Sequence, residues 1–170
     1  MNFHEAKEKY RIIFEDCFSC AENAFPAKGL SLKITRIDSQ AINYYEEHRG
    51  GFSMDWKALF QRQLNARAKS ITIAIWDGET LVGLALGKVS KARNLVSFSY
   101  IESNSNYCGG LSGQVITIVT LVGIEVGKHV NASYIALHDP VNTRVENYYT
   151  ELGYKKCFLY GIRRSMFFKI

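Results

Sequence analysis

Tyr134-Ile135-Ala136-Leu137-His138-Asp139-Pro140-Val141-Asn142, continued by Tyr148-Tyr149-Thr150-Glu151-Leu152-Gly153-Tyr154, is the most informative stretch of this chain. From Tyr134 to Leu137 the run is apolar and suited to a strand, and Asp139-Pro140 is a turn signal that ends it. Asn142 then stands where a helix cap belongs. No Gly or Pro interrupts residues 143–152, and Gly153 sits where a left-handed residue stops a helix. Val145 and Tyr149, one turn apart, share a face of that predicted helix.

Upstream, residues 95–102 read as a strand, residues 103–113 as a polar, glycine-rich loop, and residues 114–129 as an apolar helix. The β-branched content of that helix is poor in isolation, so burial against a sheet is expected. Ile71 to Trp76, the turn Asp77-Gly78-Glu79, and Leu81 to Gly87 form a hairpin. Before it, residues 30–37 alternate as a half-buried strand, and Asp38-Ser39 opens a short helix through Tyr44 and Tyr45. A mobile-looking loop at 50–53 leads to Asp55, which caps a helix over residues 56–68. At the front, Phe3, Tyr10, Ile13, Phe14, Cys17, Phe18 and Ala21 recur at helical spacing. They predict an N-terminal helical extension, residues 1–27, on a single domain spanning 1–170.

The strand-Asn-helix-Tyr-Gly-aromatic ending, carried by Asn142, Val145, Tyr149, Gly153 and Tyr154, resembles the C-terminal part of the GCN5-related N-acetyltransferase (GNAT) family. The order strand, two helices, three strands, helix, strand, helix and closing strands matches that family's arrangement over nearly all of the chain after the first helix. The resemblance implies an α/β fold: a mixed, centrally splayed β-sheet flanked by helices, here with an extra N-terminal helix. Residues 95–102 and 133–138 would be the parting strands. Backbone N–H and C=O groups left unpaired there suit an extended, amide-bearing ligand. By resemblance that ligand is acetyl-CoA, used as co-substrate by an N-acetyltransferase. Asn142 would touch its pantetheine or phosphate arm, and Tyr149 would protonate the departing thiolate. Backbone N–H groups around Tyr100 and Ile101 would polarise the thioester carbonyl.

The family's phosphate loop reads Arg or Gln, two residues, Gly, one residue, then Gly or Ala, at a helix start where backbone N–H groups close on pyrophosphate. Aligned to the predicted helix, Cys108 takes the Arg/Gln position, Leu111 the first Gly and Gly113 the second. Cys108, Gly109, Gly110, Leu111, Ser112, Gly113 and Gln114 are therefore the loop candidates, without the Arg. A flexible connection before a helix explains the glycines equally simply.

Direct acetyl transfer needs a neutral amine, a polarised carbonyl and a proton for sulfur. Glu102 at its strand end is the expected general base, acting through water, and a solvent-facing carboxylate is the competing explanation. For the acceptor, the resemblance points to the loop between the first two helices of the domain and to a hairpin at 160–164. Tyr45, Phe52, Trp56 and His138 are the candidate contacts, with helix packing as the alternative role for the aromatics.

Composition bounds the function without choosing it. A 170-residue chain with 47% apolar and 22% charged residues is an ordinary folded domain, not a disordered one. Its net charge of +5 comes from basic residues scattered along the sequence, and no nucleic-acid-binding motif accompanies them. Nucleic acid is thus not the expected partner, whereas a polyanionic cofactor suits the excess. Cys17-Phe18-Ser19-Cys20 lies inside a helical run, and Cys108 and Cys157 add no ligand pair, so no metal site is expected. The N-terminus lacks an apolar leader, and the longest apolar run, residues 115–126, is too short for a bilayer and contains Glu125. No membrane partner and a cytoplasmic location are expected.

The expectation is an N-acyltransferase that moves acetyl from acetyl-CoA to a primary amine on a small molecule or peptide, with a homodimer as one assembly option. Three other readings stay open: a non-catalytic acyl-CoA binder or sensor, a toxin-like enzyme acylating aminoacyl-tRNA, and an interaction protein dimerising through the N-terminal helix.

Overall fold

The computed structural model describes residues 2–26, 29–64, 68–157 and 164–170. The elements run α1 (Phe3–Ala24), β1 (Leu32–Thr35), α2 (Ser39–Glu47), α3 (Trp56–Leu64), β2 (Ser70–Asp77), β3 (Thr80–Val89) and β4 (Leu95–Ser103). There follow α4 (Val115–Val130), β5 (Tyr134–His138), α5 (Thr143–Glu151), β6 (Lys155–Cys157) and β7 (Ser165–Lys169). The strands form one sheet in the order β1-β2-β3-β4-β5-β7-β6. Among the described residues only β4 and β5 pair in parallel, and α4 is the crossover that such a pair requires.

Local chemistry sets the helix starts. Asp38 accepts the Ala41 N–H at 2.9 Å, Asp55 the Ala58 N–H at 3.1 Å, and Asn142 the Val145 N–H at 3.0 Å. Gly78 turns the β2–β3 hairpin at φ +57°, and Gly153 stops α5 at φ +95°. The predicted extension of α3 through residues 65–67 lies outside the described residues.

Two apolar layers cover the sheet. α2 and α3 pack on one face through Ala41, Tyr45, Trp56 and Leu59, against Ala74, Leu84 and Leu86. α1, α4 and α5 occupy the other, where Ile118, Val122 and Val126 meet Phe98 and Ile135. The β-branched run of α4 is stabilised by this burial, which outweighs its low intrinsic propensity.

α1 is the expected N-terminal helix, and it packs closely on the domain. Tyr10, Phe14, Cys17, Phe18 and Ala21 are buried in the main core, so the helix is an integral layer. Most of its apolar stripe packs within the chain, while Phe3 at its start stays exposed. Cys17 packs with its Sγ 3.5 Å from His129 Nδ1, while Cys20 points to solvent. Among the described residues no group of His, Cys, Asp and Glu is arranged to hold a metal, and no helix is long and apolar enough to cross a membrane.

Candidate active site

β4 and β5 pair from Leu95↔Tyr134 to Phe98↔Leu137 and then part. β4 continues beside β3 as far as Gly83↔Ser103, whereas β5 ends at His138. A bulge marks the parting point. Leu86 pairs with Tyr100 and Gly87 with Phe98, which leaves Ser99 as an extra residue on β4. Bulges bend and twist a strand, so this one accounts for the fork. Among the described residues the β5-facing edge of β4 beyond Phe98 is therefore left without a strand partner.

A cavity of about 100 Å³ occupies the fork. Phe98, Ser99 and Ile101 form its β4 wall, Leu137 and His138 its β5 wall, and Met54 and Tyr149 close it from either side. Burial pushes the Tyr149 phenol above its ordinary value of 10.0, so it keeps its proton at neutral pH. Its hydroxyl makes no hydrogen bond among the described residues. The adjacent Tyr148 donates to the Gly113 carbonyl at 2.8 Å and ties α5 to the loop before α4. His138 Nδ1 lies 2.8 Å from the buried Ser165 hydroxyl, which fixes the ring at the cavity wall.

The Tyr100 side chain points away from this cavity, to the opposite side of β4 with Leu59, Arg62 and Gly87. Only its backbone remains a candidate for the thioester. Ile101 lines the fork directly.

Residues 103–114 divide into a packed half and an open half. Tyr107 donates to Asp77 at 2.7 Å and accepts the Leu111 N–H at 3.1 Å, and Leu111 is fully buried. The Leu111 carbonyl accepts the Gln114 N–H at 3.0 Å. Leu111 is thus a core anchor whose polar groups are engaged, which corrects its expected place on the ligand surface. A Cβ on Gly109 would collide with the Tyr107 ring, and one on Gly110 would meet the end of the Leu30 side chain. Close packing explains both glycines.

Gly113 differs: its φ is +75° and nothing lies within 4 Å of a Cβ there. Its N–H and those of Val115, Ile116 and Thr117 make no backbone hydrogen bond among the described residues, as is usual for the first turn of a helix, here α4. Cys108, earlier in the same loop, is exposed, with Sγ 3.8 Å from the Asn106 carbonyl. Ser112 donates its N–H to Gly109 within the turn at 3.0 Å. Asn142 is exposed at the start of α5; its oxygen caps Val145, which leaves its amide group as the donor.

Glu102 occupies an unexpected place. Its carboxylate accepts the Ser53 N–H at 2.6 Å, the Ser53 hydroxyl, the Met54 N–H at 3.2 Å and Trp56 Nε1 at 2.6 Å. These four donors fill its acceptor sites. The 50–53 segment is fastened, contrary to its mobile appearance in the sequence. Ser105 donates to the Gly51 carbonyl at 2.8 Å, and Gly51 lies so close to Asn104 that a Cβ there would collide with its side chain. Trp56 and Tyr45 are buried in the α2–α3 layer, with Phe52 edge-on to Tyr45. Of the four acceptor candidates, only His138 lines the fork; the hairpin near 160–163 lies outside the described residues, and Arg164 pairs with Glu146.

Sequence reasoning named Ser99 for its backbone N–H but missed its bulge, and it missed Met54, Tyr148 and Ser165. None carries a local signal, since each acts through a residue distant in the chain.

No protein-family model and no curated protein matches the sequence. Solved structures do. Spermidine N-acetyltransferase SpeG from Vibrio cholerae, in complex with CoA and spermine, superposes with a TM-score of 0.59 at 14% identity, over 81% of this chain and 95% of that one. The same enzyme with manganese ions gives 0.57 at 14% identity, over 81% and 92%. PaiA N-acetyltransferase from Thermoplasma acidophilum, in complex with coenzyme A, gives 0.55 at 14% identity, over 82% and 99%. At this identity the likeness establishes the fold: the mixed, splayed architecture of GNAT acetyltransferases, with a helix added at the N-terminus.

Proposed function

We propose that this chain is an N-acyltransferase, which moves an acetyl group from acetyl-CoA to a primary amine by direct attack. The observation that carries the reading is the parting of β4 and β5 after Phe98↔Leu137, with the protonated Tyr149 phenol at the resulting cavity. Acetyl-CoA supplies an activated acyl group on a good leaving group. The unpartnered edge of β4 suits its amide-bearing arm. The N–H groups of Gly113 and the first turn of α4 suit its phosphates without a loop Arg, and the Asn142 amide lies at the start of the neighbouring helix.

Three tasks fall to three groups. Backbone N–H groups at the Ser99–Ile101 edge stabilise negative charge on the carbonyl oxygen, and Tyr149 gives its proton to the sulfur as the C–S bond breaks. With Glu102 saturated as the anchor of residues 53–56, we assign removal of the amine proton to His138, held by Ser165 and acting directly or through water. The balance is one ammonium and one thioester consumed, and one amide, one thiol and one proton released.

Thermal shift with acetyl-CoA and with CoA tests the binding half, and CoA release over a panel of amines tests the transfer half. Stabilisation of about 2–3 kcal/mol at a hundredfold excess over Kd is expected. No shift at millimolar ligand refutes the reading; a shift without CoA release over the panel favours an acyl-CoA sensor, consistent with the loop that lacks Arg.

A further inference from the structure

We infer that the acceptor amine also carries an anionic group, a carboxylate or a phosphate, which Arg62 and Lys88 receive on the far side of β4 from the Tyr149 cavity. This inference rests on the acyltransferase reading and specifies its second substrate.

A second cavity of about 270 Å³ lies between α3 and the β3–β4 pair. It meets the fork at Ser99, the bulged residue that lines both. An amine delivered at Ser99 would therefore reach the thioester from the side opposite α4 and α5. Arg62, Lys88, Tyr100, Ser70 and Ser99 line the second cavity, and among the described residues no carboxylate does. Gln63 bridges its wall by donating to the Gly87 carbonyl at 2.8 Å.

The bias extends beyond the lining. Residues 56–76 and 80–101 contain no Asp or Glu, so the segments that supply the cavity wall carry basic charge alone. Ser70 pairs with Lys88 in the β2–β3 ladder. Arg62 and Lys88, far apart in sequence, thus share the wall of this cavity and give it a positive potential. Such a potential attracts an anion and repels a polycation. Arg62 adds a planar fork of donors suited to carboxylate or phosphate. The cavity is several times the ~30 Å³ share of a water, enough for the anionic group and a short linker.

The test uses amines matched except for the anionic group: O-phosphoethanolamine against ethanolamine, β-alanine against n-propylamine, and spermidine as the polycation. The anionic partner of each pair is expected to have a kcat/KM about tenfold higher, expressed in KM. Arg62→Ala with Lys88→Ala should bring that ratio towards unity, and Arg62→Lys alone should retain most of it. The stronger pair identifies phosphate or carboxylate. Equal rates within pairs, a preference for spermidine, or a ratio unchanged in the double variant overturns the inference. A separate binding arm follows the Ser99 and Tyr100 amide resonances during titration with β-alanine or O-phosphoethanolamine without acetyl-CoA. Perturbed amides without CoA release support the anion site and refute the transfer reading. Unperturbed amides with CoA release from neutral amines do the reverse.

Discussion

The Trp56 indole donates to Glu102 at 2.6 Å across the junction between the start of α3 and the end of β4, with the Trp56 ring fully buried. The carboxylate gathers the 53–56 backbone against the strand that forms the fork. It also sets the position of Met54, which lines the cavity.

Glu102→Ala should therefore loosen residues 53–56 and leave a buried indole N–H unpaired. The expected loss of stability is about 2–3 kcal/mol by urea denaturation. Amide exchange at Ser53 and Met54 should accelerate. Glu102→Gln keeps an acceptor oxygen and should lose less in both measurements; equal loss in Ala and Gln would show that charge alone matters.

Gly110→Ala and Gly113→Ala should separate packing from ligand binding. The first forces a Cβ against the end of the half-buried Leu30 side chain, which can shift, at about 1 kcal/mol of stability. The second has open space but forces a positive φ, at about 1–2 kcal/mol, and crowds the donor cluster. Only Gly113→Ala is expected to weaken acetyl-CoA binding by more than its thermal destabilisation explains, as read by isothermal titration.

Cysteine alkylation reports on the same loop. Burial pushes the Cys17 thiol up to about 12, so it should resist iodoacetamide at pH 7.5, while Cys20 and Cys108 are exposed. Saturating acetyl-CoA should slow labelling of Cys108 roughly tenfold or more and leave Cys20 unchanged. Equal labelling of Cys108 with and without ligand, followed by mass spectrometry, would place the phosphates elsewhere.

Glu146 gives a pH dependence. Its carboxylate, 1% exposed, meets Lys156 at 2.6 Å and also pairs with Arg164, joining α5 to β6 and β7. The Lys156 hydrogen bond, followed by the Arg164 charge, holds it below the ordinary value of 4.5. A lowered folded value means stability that is full above 4.5 and lost as pH falls through the folded value. The Tm gap between wild type and Glu146→Gln should be constant near neutrality and narrow on acidification below that point. A gap that persists into strong acid would assign the effect to packing.

Much of the fold is legible in the sequence because its signals are local. Asp38, Asp55 and Asn142 announce helix starts that the structure places one residue later, and Asp77-Gly78 announces its hairpin. The strand order beyond that came through resemblance. What the sequence conceals depends on partners distant along the chain. The four donors to Glu102 lie 46 to 49 residues away, and their convergence makes an anchor of a strand-end carboxylate. Leu111 sits in a phosphate-loop alignment, yet its apolar side chain is drawn into the core. The bulge at Ser99 leaves no compositional trace, and the helical stripe of α1 cannot reveal whether its partner is α4 or another protein.

The most direct test of the account is CoA release by Tyr149→Phe, measured beside its affinity for acetyl-CoA. Loss of the phenolic proton with the ring retained should lower kcat about 100-fold while binding stays within twofold. Unchanged turnover at unchanged affinity would contradict the assignment of Tyr149 as the acid in the β4–β5 fork.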